Sequence, residues 1–294
     1  MDTGFFEIER ETTAVDSVLD VLGQEGLLDV ELIGLTYSMG DAITKITNLK
    51  HVKNRGQLEA VTGEHVGAGT RLFDEIAGSK IKAVLIPGLH RGIECIDSRF
   101  KMLYSHMAAS EKTALAYHAF NRVNEESMIV ADISSNTVSI GIRDGKFFGA
   151  VDACLGAAGV LHGPLDLSAI RRVDSGKVSA NKAFYSAGVS QKSGLNSTDI
   201  LNGKSSEQRL ARDALLMAAV MEITGLTALV EAQTICIAGS TGLHKNIYPK
   251  LEKKLNHIAP VNRLDPYSAA MGAAEIARDI KAGKKDFLGI GVDL

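Results

Sequence analysis

The residues with the clearest chemical promise sit at the end of an apolar run. Met128 to Ile133 reads MIVADI, and Asp132 near its end is followed by Ser134, Ser135, Asn136 and Thr137 before the next run, Val138 to Ile142. A tight turn between strands points backbone N–H groups outward, where they can hold a phosphate. A carboxylate beside such a turn can orient water on magnesium, an ion that keeps most of its own waters. Serine hydroxyls and the Asn136 amide can add hydrogen bonds, and asparagine tolerates left-handed backbone. The bland alternative stays open: Asp132 bonded to local N–H groups, the serines capping the turn and Thr137 a β-branched strand residue.

A second group, Gly239, Ser240, Thr241 and Gly242, follows the apolar run Thr234 to Ala238. A turn of small residues after a strand lets a purine lie flat against the backbone; standing alone, it is ordinary packing. A third, HGPLDLSAIRR, gathers His162, Asp166 and Arg171. Arginine pairs bidentately with carboxylate or phosphate, so this cluster is a candidate for an acidic substrate group, against a surface loop with common ion pairs. His90 and Arg91 follow the run Ala83 to Pro87, and ligands collect at strand ends in open α/β sheets. His106 and His118 are too far apart for a helical metal pair, which needs a spacing near four. No Ser-His-Asp arrangement can be argued from spacing.

The elements that must position these groups follow from periodicity. Val30 to Tyr37 and Ala83 to Pro87 read as buried strands of a mainly parallel sheet. Glycines 63, 67 and 69 mark a loop running into a helix. Met102 to Asn121 reads as one helix with no proline or glycine. Beyond a linker near Asn121 to Ser127 come three strands, Met128 to Ile133, Val138 to Ile142 and Lys146 to Val151. Asp144-Gly145 forms the hairpin between the last two. A long helix spans about Arg209 to Val230, the strand Thr234 to Ala238 follows, and Leu243, Ile247, Leu251 and Leu255 form one helical stripe. Pro249 requires that helix to begin near Asn246. A last helix covers Tyr267 to Ile280.

In order and distance, three segments resemble the heat-shock chaperone ATPases. EKTALAY (Glu111 to Tyr117) with DISSNT (Asp132 to Thr137) is similar to their E-P-x-A-A-A-L-A-Y helix and D-L-G-G-G-T strand end. IAGSTGLHK is similar to their adenosine motif G-G-S-T-R-I-P, and DPYSAAMGAAEIA to N-P-D-E-A-V-A-x-G-A-A. The resemblance implies the α/β fold of the acetate/sugar kinase–heat-shock chaperone–actin (ASKHA) superfamily, with two RNase H-like lobes. Residues 1–125 form lobe I, 126–264 lobe II with the phosphate and adenosine motifs, and 265–294 a C-terminal helix at the lobe interface. It further implies ATP and Mg2+ as cofactors. Asp132 is then the catalytic, metal-organising carboxylate acting through water. Ser134, Ser135, Asn136 and Thr137 hold phosphates, and Gly239, Ser240, Thr241 and Gly242 hold adenosine. Gly272, Ala273 and Ala274 let helices of the two lobes approach closely, and residues 156–159 supply a matching helix start.

Over nearly its whole length the chain also resembles an archaeal family, methanogenesis marker protein 12, in TYSMGDAI, IPGLHR, RFKMLYSHMAASEK, VADISSNTVSI, GAVDACLGAAGVLHGPLDLSAIR and IAGSTG. That resemblance implies a methanogenic archaeon, a cytosolic setting and a link to methanogenesis or its enzyme maturation. Two departures stand out. Members begin with a D-H-G-T-T type segment, whereas this chain starts at FFEIER, so lobe I is expected to lack its first hairpin unless the start is misplaced. Serines and asparagine also replace phosphate-loop glycines, where close backbone approach favours glycine.

Bulk properties fit this reading. The 294 residues are long enough for two lobes, with 45% hydrophobic and 23% charged residues. A net charge of −3 lacks the basic footprint of a nucleic-acid binder. The longest apolar run, Ala214 to Val220, is too short to span a bilayer, and the acidic first ten residues do not read as a signal peptide. Three scattered cysteines suggest reduced thiols in the cytoplasm, with Cys154 and Cys236 expected to be buried. The expected partners are nucleotide and a small-molecule or protein substrate, with no nucleic acid and no membrane. A non-catalytic nucleotide-binding or assembly protein is the alternative. A homodimer through an exposed sheet edge is a third reading.

Overall fold

Six consecutive residues, Met128–Ile133, are buried on both sides, which requires a strand covered on both faces. In the computed structural model this strand is the centre of the second of two five-stranded sheets. The structure describes Gly23 and residues 30–36, 41–56, 68–123 and 125–294. The expected glycine loop at 63 and 67, residues 37–40 of TYSMGDAI and the N-terminal segment lie outside the described residues.

Along the chain the strands are β1 (Ile33–Thr36), β2 (Ile46–Asn48), β3 (Ala83–Ile86), β4 (Leu89–His90), β5 (His106–Ala108), β6 (Met128–Ile133), β7 (Thr137–Arg143), β8 (Lys146–Val151), β9 (Thr234–Ala238), β10 (Val261–Arg263), β11 (Asp286–Phe287) and β12 (Ile290–Asp293). The helices are α1 (Ala68–Gly78), α2 (Ser98–Leu103), α3 (Ser110–Val123), α4 (Leu167–Asp174), α5 (Ala180–Tyr185), α6 (Val189–Ser193), α7 (Ser197–Asn202), α8 (Ser206–Val230), α9 (Tyr248–Leu255) and α10 (Ser268–Lys281).

The second sheet has the order β10-β9-β6-β7-β8. β6 pairs antiparallel with β7 and parallel with β9, and β7 pairs antiparallel with β8. β8 therefore points the same way as β6 and β9. The first sheet has the order β1-β3-β2-β12-β11, so the C-terminal strand lies inside it, parallel to β2. This is the two-lobed α/β architecture that the motifs imply.

Helix α3 packs against both sheets, and α10 packs against α3 and β1. A Cβ at Gly272 of α10 would come within 1.9 Å of the Ala114 carbonyl oxygen in α3, so only glycine allows this approach. On the other side of the second sheet, α8 starts from a capping box in which Ser205 and Gln208 satisfy each other's backbone N–H groups. Ala211, Leu215, Ala219, Ile223, Leu226 and Val230 form its buried side. Among the described residues α8 is long and apolar enough to cross a membrane by length and composition. One side of it instead packs over β6 and β7.

Several expectations need correction. Met102 to Asn121 is not one helix: Tyr104 ends α2 in extended conformation, and His106 lies on β5 before α3 begins. Residues 156–159 start no helix; they form an irregular strap. The four short helices α4 to α7 and the strands β2, β11 and β12 had no counterpart in the periodicity reading. Cys236 is buried, but Cys154 is exposed.

Candidate functional site

Because β6, β8 and β9 point the same way, Asp132, Asp152 and Gly239 meet at one edge of the second sheet. Parallel neighbours β6 and β9 both end there, and ligands bind outside the carboxyl ends of strands in open α/β sheets. The N-terminus of α3 reaches the same edge and supplies Lys112.

The phosphate-loop and purine-turn candidates form one unit. Gly239 has φ +86°, and a Cβ there would lie 2.4 Å from Asp132 Oδ1 and 2.5 Å from Ser134 Oγ. The Thr241 and Gly242 N–H groups both donate to the Ile133 carbonyl, at 3.0 and 2.8 Å. The Thr241 hydroxyl reaches the Ser134 carbonyl at 3.4 Å. Ser135 and Ser240 are exposed at the mouth, Ser134 and Asn136 half-buried, and Thr137 and Thr241 buried. Thr137 Oγ1 points to the Ala158 carbonyl at 3.5 Å, toward the strap.

That strap has taken over part of the loop. The N–H groups of Leu161 and His162 both donate to the Ser135 carbonyl at 2.9 Å, and Ser134 N–H donates to Asn136 at 2.7 Å. The Asn136 backbone touches Gly159 so closely that a Cβ there would lie 2.4 Å from Asn136 Cα. The loop's shape is thus fixed by neighbouring backbone rather than by glycines of its own.

Asp132 is engaged on both oxygens. Ser134 Oγ donates to Oδ1 at 2.7 Å, and Lys112 Nζ to Oδ2 at 3.0 Å. Lys112 also lies 3.4 Å from Glu111 Oε1. Burial pulls the lysine's pKa down, but the charges of Asp132 and Glu111 outweigh it and leave it raised. The hydroxyls of Ser110 and Thr113, in the first turn of the same helix, are buried without a hydrogen-bond partner. Among the described residues no three His, Cys, Asp or Glu side chains converge as a metal cage. Asp132 and Glu111 are nonetheless the hard oxygen donors magnesium takes through its own waters. A magnesium ion held by them would have to displace the Lys112 ammonium that neutralises them here.

Across the edge from Lys112, β5 presents His106. Its Nδ1 is 3.0 Å from Asp41 Oδ1, and its Nε2 is 3.7 Å from Asp152 Oδ2. Burial lowers the His106 pKa, but the Asp41 hydrogen bond and the two charges win and raise it. Asp152, largely buried, is raised by desolvation despite the Ala153 N–H that it accepts. Neither His106 nor Asp152 was singled out from the sequence as a site residue. Lys112 was not singled out either.

The remaining candidates divide. His162 joins the edge through its N–H to Ser135, and its ring packs 5.3 Å from Phe184 and 5.0 Å from Tyr185. His90 is buried with both ring nitrogens used, Nε2 on the Ile43 carbonyl at 2.9 Å and Nδ1 accepting from Gly92 N–H. That locks it as a structural residue. Arg91 is exposed beside it. Asp166 caps α4 by accepting from Ala169 N–H and pairs with Lys192, and Arg171 is exposed in the last turn of α4. Among the described residues, neither Asp166 nor Arg171 makes a hydrogen bond or ion pair to the edge.

No family model matches the chain. A UPF0285 protein of Methanococcus vannielii is 45% identical over 98% of this chain and 91% of its own length. The chain belongs to the UPF0285 family. Another member, from Methanocaldococcus jannaschii, is 45% identical over 98% of this chain and 92% of its own. A third, from Methanothermobacter thermautotrophicus, is 40% identical over 100% and 93%. The homologues of this UPF0285 chain are proteins of methanogenic archaea. Its fold is similar to a propionate kinase of Francisella tularensis, with TM-score 0.60 over 88% of this chain and 82% of the kinase at 11% identity. It is similar also to an acetate kinase of Porphyromonas gingivalis, with TM-score 0.60 over 92% and 85% at 13% identity. A glucokinase of Streptomyces griseus, solved with glucose and AMPPNP, aligns with TM-score 0.51 over 90% and 87% at 14% identity. At such identities the likeness establishes the fold.

Proposed function

We propose that this UPF0285 protein binds ATP between its lobes and transfers a phosphoryl group to a small acid or a protein client. The meeting of Asp132, the 134–137 loop and the Gly239 turn at the carboxyl ends of β6 and β9 carries this reading. Phosphoryl transfer asks mainly for positioning and charge neutralisation. Magnesium would neutralise the phosphates. Asp132 would orient its waters, Ser134 to Thr137 would position the phosphates, and Gly239 to Gly242 would receive the purine. His106, bracketed by Asp41 and Asp152, faces the region where an acidic acceptor would enter and can hold or release a proton there. A role in methanogenesis or in maturing its enzymes rests on the resemblance to methanogenesis marker protein 12 and on the methanogenic sources of the relatives.

The paired state of Asp132 and the strapped loop favour a second reading, a protein that binds nucleotide without turning it over. Calorimetric titration with ATP, with and without magnesium, tests both. Magnesium-dependent binding that Asp132→Asn weakens by about tenfold or more supports a nucleotide site, charge-assisted contacts being worth this much. Phosphate release at saturating ATP then separates transfer from binding alone. Absence of heat under both conditions would remove the reading.

A further inference from the structure

The exposed side of α8 carries a pattern that nothing in its own lobe uses. Leu210, Ala214, Met217, Met221, Thr224 and Ala228 follow one another at alternating spacings of four and three residues. Leu210, Met217 and Met221 are 72%, 59% and 66% exposed. A 3.5-residue repeat of this kind is the seam one helix offers another, whereas burial against a sheet asks only for a general apolar face. Beside the seam, α8, α2 and the end of β8 enclose a groove of about 850 Å³, lined by Phe100, Leu103, Tyr104, Phe148, Met221 and Leu229 among others. Gly225 lies in its wall with open space where a Cβ would be, which allows a second backbone to come close.

We infer that α8 is the interface of a twofold homodimer, in which each copy lays its α8 antiparallel along the seam of the other. Ridge and groove lie side by side on one face, so the surface is self-complementary as a twofold contact requires. The exposed apolar side chains of α8 with Met102 and Leu103 of α2 offer roughly 700 Å² per copy, near the ~800 Å² a partner contributes to a standard interface. A methionine-rich seam adapts its shape to such a partner. The strap residues Gly156, Ala157 and Ala158 also line the groove, so the interface borders the nucleotide edge, but the inference does not depend on what binds there.

Sedimentation velocity on the full chain tests it, with Met221→Glu, Leu210→Glu and, as a control, Leu167→Glu on exposed α4. Wild type and the α4 variant are expected at twice the mass of one chain. Because the symmetry places each new charge in the interface twice, the α8 variants dimerise at least about 100-fold more weakly, with unchanged circular dichroism. A wild-type monomer at tens of micromolar overturns the inference, whether or not it floats with anionic lipid vesicles. A dimer that survives both α8 substitutions overturns it equally.

Discussion

One imidazole between two carboxylates carries much of the electrostatic character of the site. Asp41 and Asp152 outweigh the desolvation of His106 and hold its pKa above the ordinary value of 6.5. The stabilisation it brings is fully present below pH 6.5 and fades as pH rises through the higher folded value. Replacing Asp41 with asparagine removes the closer partner, so the His106 titration midpoint in imidazole NMR should drop. An unmoved midpoint would mean that Asp152 alone sets the charge. Much at this scale was legible beforehand: Asp132, Ser134, Gly239 and Thr241 do converge, because strand ends and small turns leave signatures in sequence. His106 was hidden because its segment reads as helix by propensity, while tertiary pairing with β4 makes it a strand. Lys112 and Asp152 were hidden because their partners lie far along the chain.

Between elements, the contact that matters most is a carboxyl on α8 against the strap. Glu222 Oε2 accepts the Ala157 N–H at 2.6 Å, and Ser139 lies close to the carboxyl without an aligned hydrogen bond. Burial pushes the Glu222 pKa up to about 7. A carboxyl raised in this way binds its proton more tightly folded than unfolded, so stability falls as pH climbs from about 4.5 to about 7 and stays low above. Glu222→Gln should therefore melt a few degrees higher than wild type at pH 8.5, with the difference shrinking toward pH 4.5; an equal difference at both pH values would assign the effect to packing. The strap that Glu222 holds also bonds the Ser135 carbonyl. Glycine at 272 had a readable signature in the sequence, as the small-residue run on α10. The strap had none, since irregular backbone carries no period.

For the molecule as a whole, the two-lobed α/β fold could be read from runs and turns, in part because β6, β7 and β8 follow one another closely in sequence. The first sheet was less legible. Its strands are short, and one of them arrives from the far end: Val292 on β12 pairs with Ile46 on β2. That pairing has a consequence for synthesis. As the chain leaves the ribosome, β6 to β10 can assemble once residue 263 is out, but β2 waits with one edge open until β12 emerges. Pairings that close so large a loop form late. Pulse-labelled hydrogen exchange during refolding should find β6, β7 and β9 protected before β2 and β3; simultaneous protection would indicate that both lobes fold as one unit. The finished protein thus carries in its first lobe a record that translation has run through to residue 290 and beyond.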